Sequence, residues 1–385
     1  MIKKIVKKLI VQFKYPELRR LPHAPEADEV HLKAAVDWLC TAQDATDDGG
    51  VSATYDIWKK RWAAPYRETT GYIIETFLEY YHLTGEKEYL ERAIRMGEWE
   101  ISVQAADGAV WEERGGEAAG KKIFNTSQVM LGYNALYKET SDAKYLEASK
   151  KGAEWLMNNQ EADGRWQKFS TNPKQPAAAR TINARSAWAL LQLYAITGEN
   201  SYKAATEKNI EWILRQQRKN FWFDNTSLTE QNRPWTHYIA YTICGLLECY
   251  VLLGKSDKKL FTSFYGAATT LLEYYRTHGS ELLPGSFDSH WESQDTYTCI
   301  TGDAQIAIAW MQVYELTGEQ KFLDGARNLL EQVKMTQLLS DRPETHGGIL
   351  GSYPIDGLYG PYSIINWGAK FFADALMLKT RITSS

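Results

Sequence analysis

Trp155-Leu156-Met157-Asn158-Asn159-Gln160-Glu161-Ala162-Asp163-Gly164-Arg165-Trp166 decides how this chain is read, because the pattern recurs. Trp99 to Trp111 repeats it, with Gln104 and Asp107-Gly108 in the matching places. Weaker copies follow Trp38 (Gln43, then Asp48-Gly49-Gly50) and Trp212 (Gln216-Gln217, then Trp222-Phe223-Asp224). In each copy an apolar helix runs to a glutamine and a turn then breaks it. Asp-Gly supplies such a turn at low cost, since glycine accepts a positive φ. Self-similarity of this kind marks a repeat architecture.

A second marker alternates with the first. Leu83-Thr84-Gly85-Glu86, Ile196-Thr197-Gly198-Glu199 and Leu316-Thr317-Gly318-Glu319 each close one apolar helix and precede an aromatic residue that opens the next, Tyr89, Tyr202 or Phe322. Ser141-Asp142-Ala143-Lys144-Tyr145 and Leu253-Gly254-Lys255-Ser256-Asp257 are degenerate copies. Successive copies lie roughly 55 to 60 residues apart, which suits two helices and two loops. The Thr-Gly-Glu connections are tight and imply antiparallel neighbours. The loops after the glutamines are long and hold most of the unusual chemistry. Helices entered from the long loops, such as Ser186 to Tyr194 and Tyr238 to Leu247, are apolar almost all round, whereas Lys203 to Gln217 is amphipathic. The pattern predicts buried inner helices inside a ring of surface helices. The expected fold is all-α, an (α/α)6 toroid of about six helical hairpins, with residues 26–385 as a single domain.

Composition narrows the function. A net charge of −4 argues against nucleic acid, which requires a broad basic face. The four cysteines, Cys40, Cys244, Cys249 and Cys299, have no CxxC spacing, and no Cys/His cluster suggests a metal. No phosphate-binding loop, dinucleotide fingerprint, GxSxG elbow or HExxH occurs, so neither cofactor nor metal is expected. Residues 1–25 form a basic amphipathic arm: Lys3, Lys4, Lys7, Lys8, Lys14, Arg19 and Arg20 interleave with Ile2, Ile5, Leu9 and Phe13. Its apolar stretch is too short for a signal-peptide core. Residues 1–20 suit peripheral contact with an anionic membrane surface, or a solvated leader. The chain is expected in the cytoplasm, at the inner face of the membrane if the arm binds there.

At the long-loop end the inner helices begin, and their N-termini favour anionic or oxygen-rich ligands. Pro65-Tyr66-Arg67-Glu68 offers Glu68 as general acid or base, with Tyr66 and Arg67 beside it. Asn125 can bond a sugar hydroxyl or cap its helix. Arg180 and Arg185 can clamp an acidic group or serve as ion-pair partners. Trp235-Thr236-His237-Tyr238 offers His237 as proton shuttle and Tyr238 as its neighbour, the alternative being a satisfied core histidine. Asp288, Trp291 and Asp303 belong to the densest acidic cluster, in which Asp288 and Asp303 are the candidate cleft carboxylates. Tyr359 and Asn366 belong to a glycine- and aromatic-rich wall. Glu68, His237, Tyr238 and Asp303 are expected to converge on one cavity.

These residues carry a resemblance. The chain resembles bacterial α/α-toroid proteins of exopolysaccharide, capsule and O-antigen biosynthesis, on Glu68 to Ile74, Thr236 to Thr242, Thr301 to Gln305, Gly347 to Ser352 and Asn366 to Phe371. More broadly it is similar to α/α-barrel glycoside hydrolases, polysaccharide lyases and sugar epimerases. The resemblance implies a glycan substrate and leaves the reaction open; Asn125 stands where such proteins are expected to carry Asp. The leading expectation is hydrolysis, which uses two carboxyl groups about 5 to 9.5 Å apart. Glu68 with Asp303 or Asp288 would supply them. The alternatives are a lyase or uronic-acid epimerase using His237 and Tyr238, and a glycan-binding scaffold without catalysis. The Gln/Asp-Gly-Trp marker is also similar to triterpene-cyclase repeats, but the chain has no DxDD or DDxxD motif.

Overall fold

The computed structural model describes residues 2–114, 117–170, 178–227, 233–279 and 281–384. Among them are thirteen α-helices: α1 (Ile2–Lys14), α2 (Asp28–Asp44), α3 (Arg67–Thr84), α4 (Lys87–Val103), α5 (Ile123–Thr140), α6 (Ala143–Asn158), α7 (Ala184–Thr197), α8 (Asn200–Arg215), α9 (Thr236–Leu252), α10 (Lys258–Thr277), α11 (Ile300–Thr317), α12 (Gln320–Lys334) and α13 (Asn366–Ser384). The odd-numbered helices from α3 onward form the inner ring. Each packs on the next, and α13 packs on α3, so the ring closes. The even-numbered helices form the outer ring. The chain is therefore an (α/α)6 toroid, as the repeat predicts.

The two sequence markers have distinct physical jobs. In the Thr-Gly-Glu copies the glycine is the left-handed C-cap of an inner helix, with φ of 76°, 72° and 70° at Gly85, Gly198 and Gly318. A Cβ is disfavoured at that φ, which is why glycine recurs there. The threonine hydroxyl before it accepts the N–H of the following glutamate, 3.2 Å away at Glu86, Glu199 and Glu319.

The glutamines are staples between repeats. Gln104 Nε2 donates to the Gly108 carbonyl in its own loop (2.9 Å) and to the Ala148 carbonyl in α6 (3.1 Å). Gln43 does the same with Gly49 and Arg92 of α4, Gln160 with Gly164 and Ala205 of α8, and Gln217 with Phe221 and Ser263 of α10. Gln337, after α12, reaches the Gly347 and His31 carbonyls, which ties the last outer helix back to α2.

The core fills the space between the rings, with Trp38, Trp166 and Trp310 fully buried. Buried polar residues bond from one element to the next: Ser127 of α5 to Ser186 of α7 (2.8 Å), Ser149 of α6 to Asn134 of α5 (2.7 Å), and Thr181, in the turn before α7, to Thr242 of α9 (3.1 Å). Such pairing removes the cost of burying polar groups.

The long loops carry short strands: β1 (Thr54–Asp56), β2 (Arg61–Trp62), β3 (Trp111–Arg114), β4 (Glu117–Lys121), β5 (Thr298–Cys299), β6 (Ser352–Tyr353) and β7 (Ser363–Ile365). The largest sheet among the described residues has three strands in the order β2-β1-β7. In it Thr54 pairs with Ile365 and Asp56 with Ser363, which joins the first long loop to the last. Ahead of the toroid, α1 rests against it through buried Val11, and Tyr15 and Leu18 follow into the core.

Candidate functional site

At the long-loop end the second residue of several inner helices faces the axis: Glu68 of α3, Phe124 of α5, His237 of α9 and Trp367 of α13. With Tyr66, Tyr72, Tyr238, Tyr241 and Tyr359 they line a cup of about 100 Å³. Four residues further along a helix is one turn deeper on the same face. That spacing puts Tyr72 beneath Glu68 and Tyr241 beneath His237. A second cavity of about 230 Å³ adjoins the cup at Tyr66 and continues past Arg67, Trp99 and Trp111.

Glu68 is the lone carboxylate among the described residues that line the cup. The Tyr66 hydroxyl donates to its Oε2 at 2.9 Å, and Asn125 Nδ2 reaches that same hydroxyl at 3.5 Å. His237 is almost fully buried, with Nδ1 2.5 Å from Gln305 Oε1. Burial lowers its pKa to about 3, against the upward pull of the Gln305 bond and with a further push from Arg185. The imidazole is therefore neutral, and the Gln305 oxygen fixes the proton on Nδ1. Burial also raises the phenols of Tyr72, Tyr241 and Tyr359, so each keeps its proton. The Tyr359 hydroxyl in turn accepts the Trp367 indole N–H at 2.8 Å. The cup thus combines one carboxylate, one neutral imidazole and several protonated phenols.

The structure brings Glu68, His237, Tyr238, Tyr66 and Tyr359 together and sets Asn125 against Tyr66. Arg67 lines the adjoining cavity, and its Nη1 points at the Trp111 carbonyl (3.4 Å). Trp235 stands behind the cup wall, edge-on to Tyr359 at 5.6 Å. Arg180 is half-buried just before the 3-10 turn Thr181–Asn183 and lines neither cavity.

Other expectations need correction. Asp303 does not open into the cup. It is fully buried, with Oδ1 accepting the Leu283 N–H at 2.8 Å and Oδ2 the Thr298 hydroxyl. Asp288 caps its own loop, accepting the N–H groups of His290 and Glu292. Trp291 is core, packed on Trp222 and Phe287. Asn366 is a fully buried staple from α13 to the Ser52 carbonyl and the Thr69 hydroxyl. Arg185 lies beneath the cup, its guanidinium between Tyr72, Tyr241, Trp188 and Phe371 and its Nε donating to Gln128 at 2.7 Å.

Asp303 yields a stability test. Burial pushes its carboxyl up to about 8, against the lowering bonds from Thr298 and Leu283. The folded value thus exceeds the ~3.9 of an unfolded Asp. Its contribution to stability is complete below about pH 4 and is lost as pH rises through about 8. Asp303→Asn is neutral throughout. The urea midpoint of the native protein should fall relative to that of the variant between about pH 5 and 8. Midpoints that move in parallel would show that Asp303 is ionised in the fold.

A larger cavity, about 640 Å³, lies elsewhere, at the short-loop end of the axis. Glu75, Glu79, Glu248, Lys370 and Asp374 line it; Lys370 pairs with Asp374, and Gln312 Nε2 donates to Glu248 at 2.5 Å. The cup, though smaller, is the better candidate, because aromatic walls, helix N-termini and an acid–base group meet there.

A family model described as the squalene-hopene cyclase C-terminal domain matches residues 62–256, just over half of the chain. The chain belongs to that family. The matched stretch runs from α3 to beyond α9 and includes the staples at Gln104, Gln160 and Gln217. No curated protein sequence matches the chain. Among solved structures it is similar to an unsaturated glucuronyl hydrolase specific for heparin, at 17% identity and a TM-score of 0.74, over 92% of this chain and 97% of that one. It is also similar to a cellobiose 2-epimerase from Bacillus thermoamylovorans, at 14% identity and a TM-score of 0.71, over 91% of this chain and 98% of that one. At such identities these likenesses concern the fold.

In this member of the squalene-hopene cyclase C-terminal domain family, the sequence reading missed Tyr72, Tyr241, Phe124 and Trp367 as cup residues. A usable signal existed for the first two, each four residues after a chosen polar residue.

Proposed function

We propose that the protein is a carbohydrate-active enzyme that takes one sugar into the cup and transfers a proton there, with Glu68 as the acid–base group. What carries this reading is the single carboxylate of the cup, oriented by Tyr66 and ringed by aromatic faces and phenol donors. The rings suit the apolar faces of a sugar, and the adjoining cavity suits the next residue of a glycan. Two-carboxylate hydrolysis, the leading expectation from the sequence, has no second carboxylate among the described residues that line the cup, since Asp303 is buried and Asp288 caps its own loop. A single carboxylate can take a proton from a carbon beside a carbonyl or carboxylate group. The electron pair moves onto oxygen, where protonated phenols stabilise it; Glu68 then returns the proton to the same face, which restores the substrate, or to the other face after the planar intermediate has turned over in the cup, which gives the epimer. Neutral His237 serves as a hydrogen-bonding partner that orients a hydroxyl. The solved epimerase of the same fold makes an epimerase the first case to test.

The test is incubation in D₂O with reducing disaccharides and with uronate-ended oligosaccharides of bacterial surface polysaccharides, followed by NMR. The expected result is deuterium at a sugar carbon of recovered substrate and of its epimer. New reducing ends without deuterium on carbon would return the reading to hydrolysis. A conjugated double bond, seen by ultraviolet absorbance, would mark a lyase. Binding without turnover on any of these would favour a glycan-binding scaffold.

A further inference from the structure

The packing of α1 inverts the usual arrangement of a surface helix. Val6, Leu9, Ile10 and Phe13 fall at i, i+3, i+4 and i+7, one continuous stripe, and that stripe faces outward. Their exposures are 46, 60, 38 and 76%. The helix turns lysines toward the protein instead. Lys8 pairs with Asp356 at 2.8 Å, and Lys7 sits 3.9 Å from the centre of the Tyr362 ring and 5.1 Å from that of Trp58. Lys14 lies 5.5 Å from the same Trp58 ring. Only Val11 of the described α1 side chains is fully buried.

An apolar stripe held outward is unpartnered, and the charge around it says what covers it. The helix contains five lysines and no acidic residue, in a chain of net charge −4. Arg19 adds a guanidinium 5.6 Å from the Phe13 ring at the end of the stripe. An apolar stripe flanked by cations matches the interface of an anionic bilayer, where acyl chains take the stripe and headgroups the exposed Lys14 and Arg19. No helix among the described residues is long and apolar enough to cross a membrane, so the contact is peripheral.

We infer that α1 lies flat on an anionic lipid surface with Val6, Leu9, Ile10 and Phe13 seated in it, and that this contact holds the long-loop end of the toroid beside the bilayer. The link to the cup is one loop. Asp356 and Tyr362, which hold α1, flank Tyr359, which lines the cup. The inference concerns the helix and does not depend on the chemistry of the cup.

The test is co-sedimentation of the full chain with vesicles of phosphatidylcholine alone and of phosphatidylcholine mixed with phosphatidylglycerol, at low and high salt. The expected result is binding to the anionic vesicles only, weakened by salt. A Leu9→Ser/Phe13→Ser double variant should lower that binding by about tenfold or more. Because both side chains are exposed, its thermal midpoint should match that of the parent, which separates loss of binding from loss of fold. Lys3→Gln/Lys4→Gln should also weaken binding and flatten the salt dependence. Absence of vesicle binding at low salt, or equal binding to neutral vesicles, would overturn the inference. Dimerisation that depends on Leu9 and Phe13, without vesicle binding, would assign the stripe to a second copy of the chain.

Discussion

Glu68→Gln is expected to lower turnover by about 10²–10⁴-fold while glycan binding, followed by calorimetry, stays close to that of the parent. The amide keeps the shape of the carboxylate and can still accept the Tyr66 hydroxyl that bonds Oε2 at 2.9 Å, so the cup should keep its form. What the amide cannot do is carry a proton to and fro. Tyr66→Phe should give a smaller loss, because it removes one hydrogen bond to Oε2 and leaves the carboxylate itself in place. His237→Gln should also cost less than Glu68→Gln, since a histidine whose pKa is lowered to about 3 holds its proton too weakly to be the main base. The reverse ranking, with His237 indispensable and Glu68 dispensable, would move the acid–base role to the imidazole.

The second large effect is on stability. Gln337→Leu is expected to destabilise the fold by about 3 kcal/mol or more, read from urea midpoints. Gln337 is fully buried and makes three contacts at once: its amide donates to the His31 and Gly347 carbonyls, and its oxygen meets His31 Nδ1 at 2.5 Å. The apolar leucine side chain strands those groups, at about 1–3 kcal/mol for each buried polar group left without a partner. The equivalent change at Gln217 should cost less, because that side chain is only half-buried and serves an interior link of the ring. Equal losses at the two sites would show that closure contributes nothing beyond an ordinary staple.

The architecture was legible because its signals are local. A glycine at a left-handed helix end, and a glutamine that must satisfy carbonyls one repeat away, leave the same mark wherever they recur. The site was legible only in part, because the place of a residue in a repeat does not by itself give its direction. Glu68 and His237 are the second residues of their helices and face the axis. Asp303 is the fourth residue of α11, two positions later, which at about 100° per residue turns it to the opposite face of the helix, toward the Thr298 and Leu283 loops. Asp288 and Trp291 were misplaced for a different reason: a loop carboxylate can be consumed by its own backbone, and a loop tryptophan by neighbouring rings. Nothing in the run of lysines and apolar residues at the N-terminus says which face of α1 turns outward; that depends on Asp356, Trp58 and Tyr362, far away in the chain.

The pairing of the first long loop with the last also bears on the order in which the molecule can be made. Neighbouring hairpins can dock as soon as both have left the ribosome, since each staple spans only one repeat. The seam cannot. Gln337 meets α2 across 306 positions and Asn366 meets Ser52 across 314, so the final join waits for nearly the whole chain. Until then the nascent toroid is an open arc with two raw apolar ends. Contacts this distant are slow to find and expose such surfaces for longest, and the seam is accordingly the place where premature association between growing chains has to be avoided.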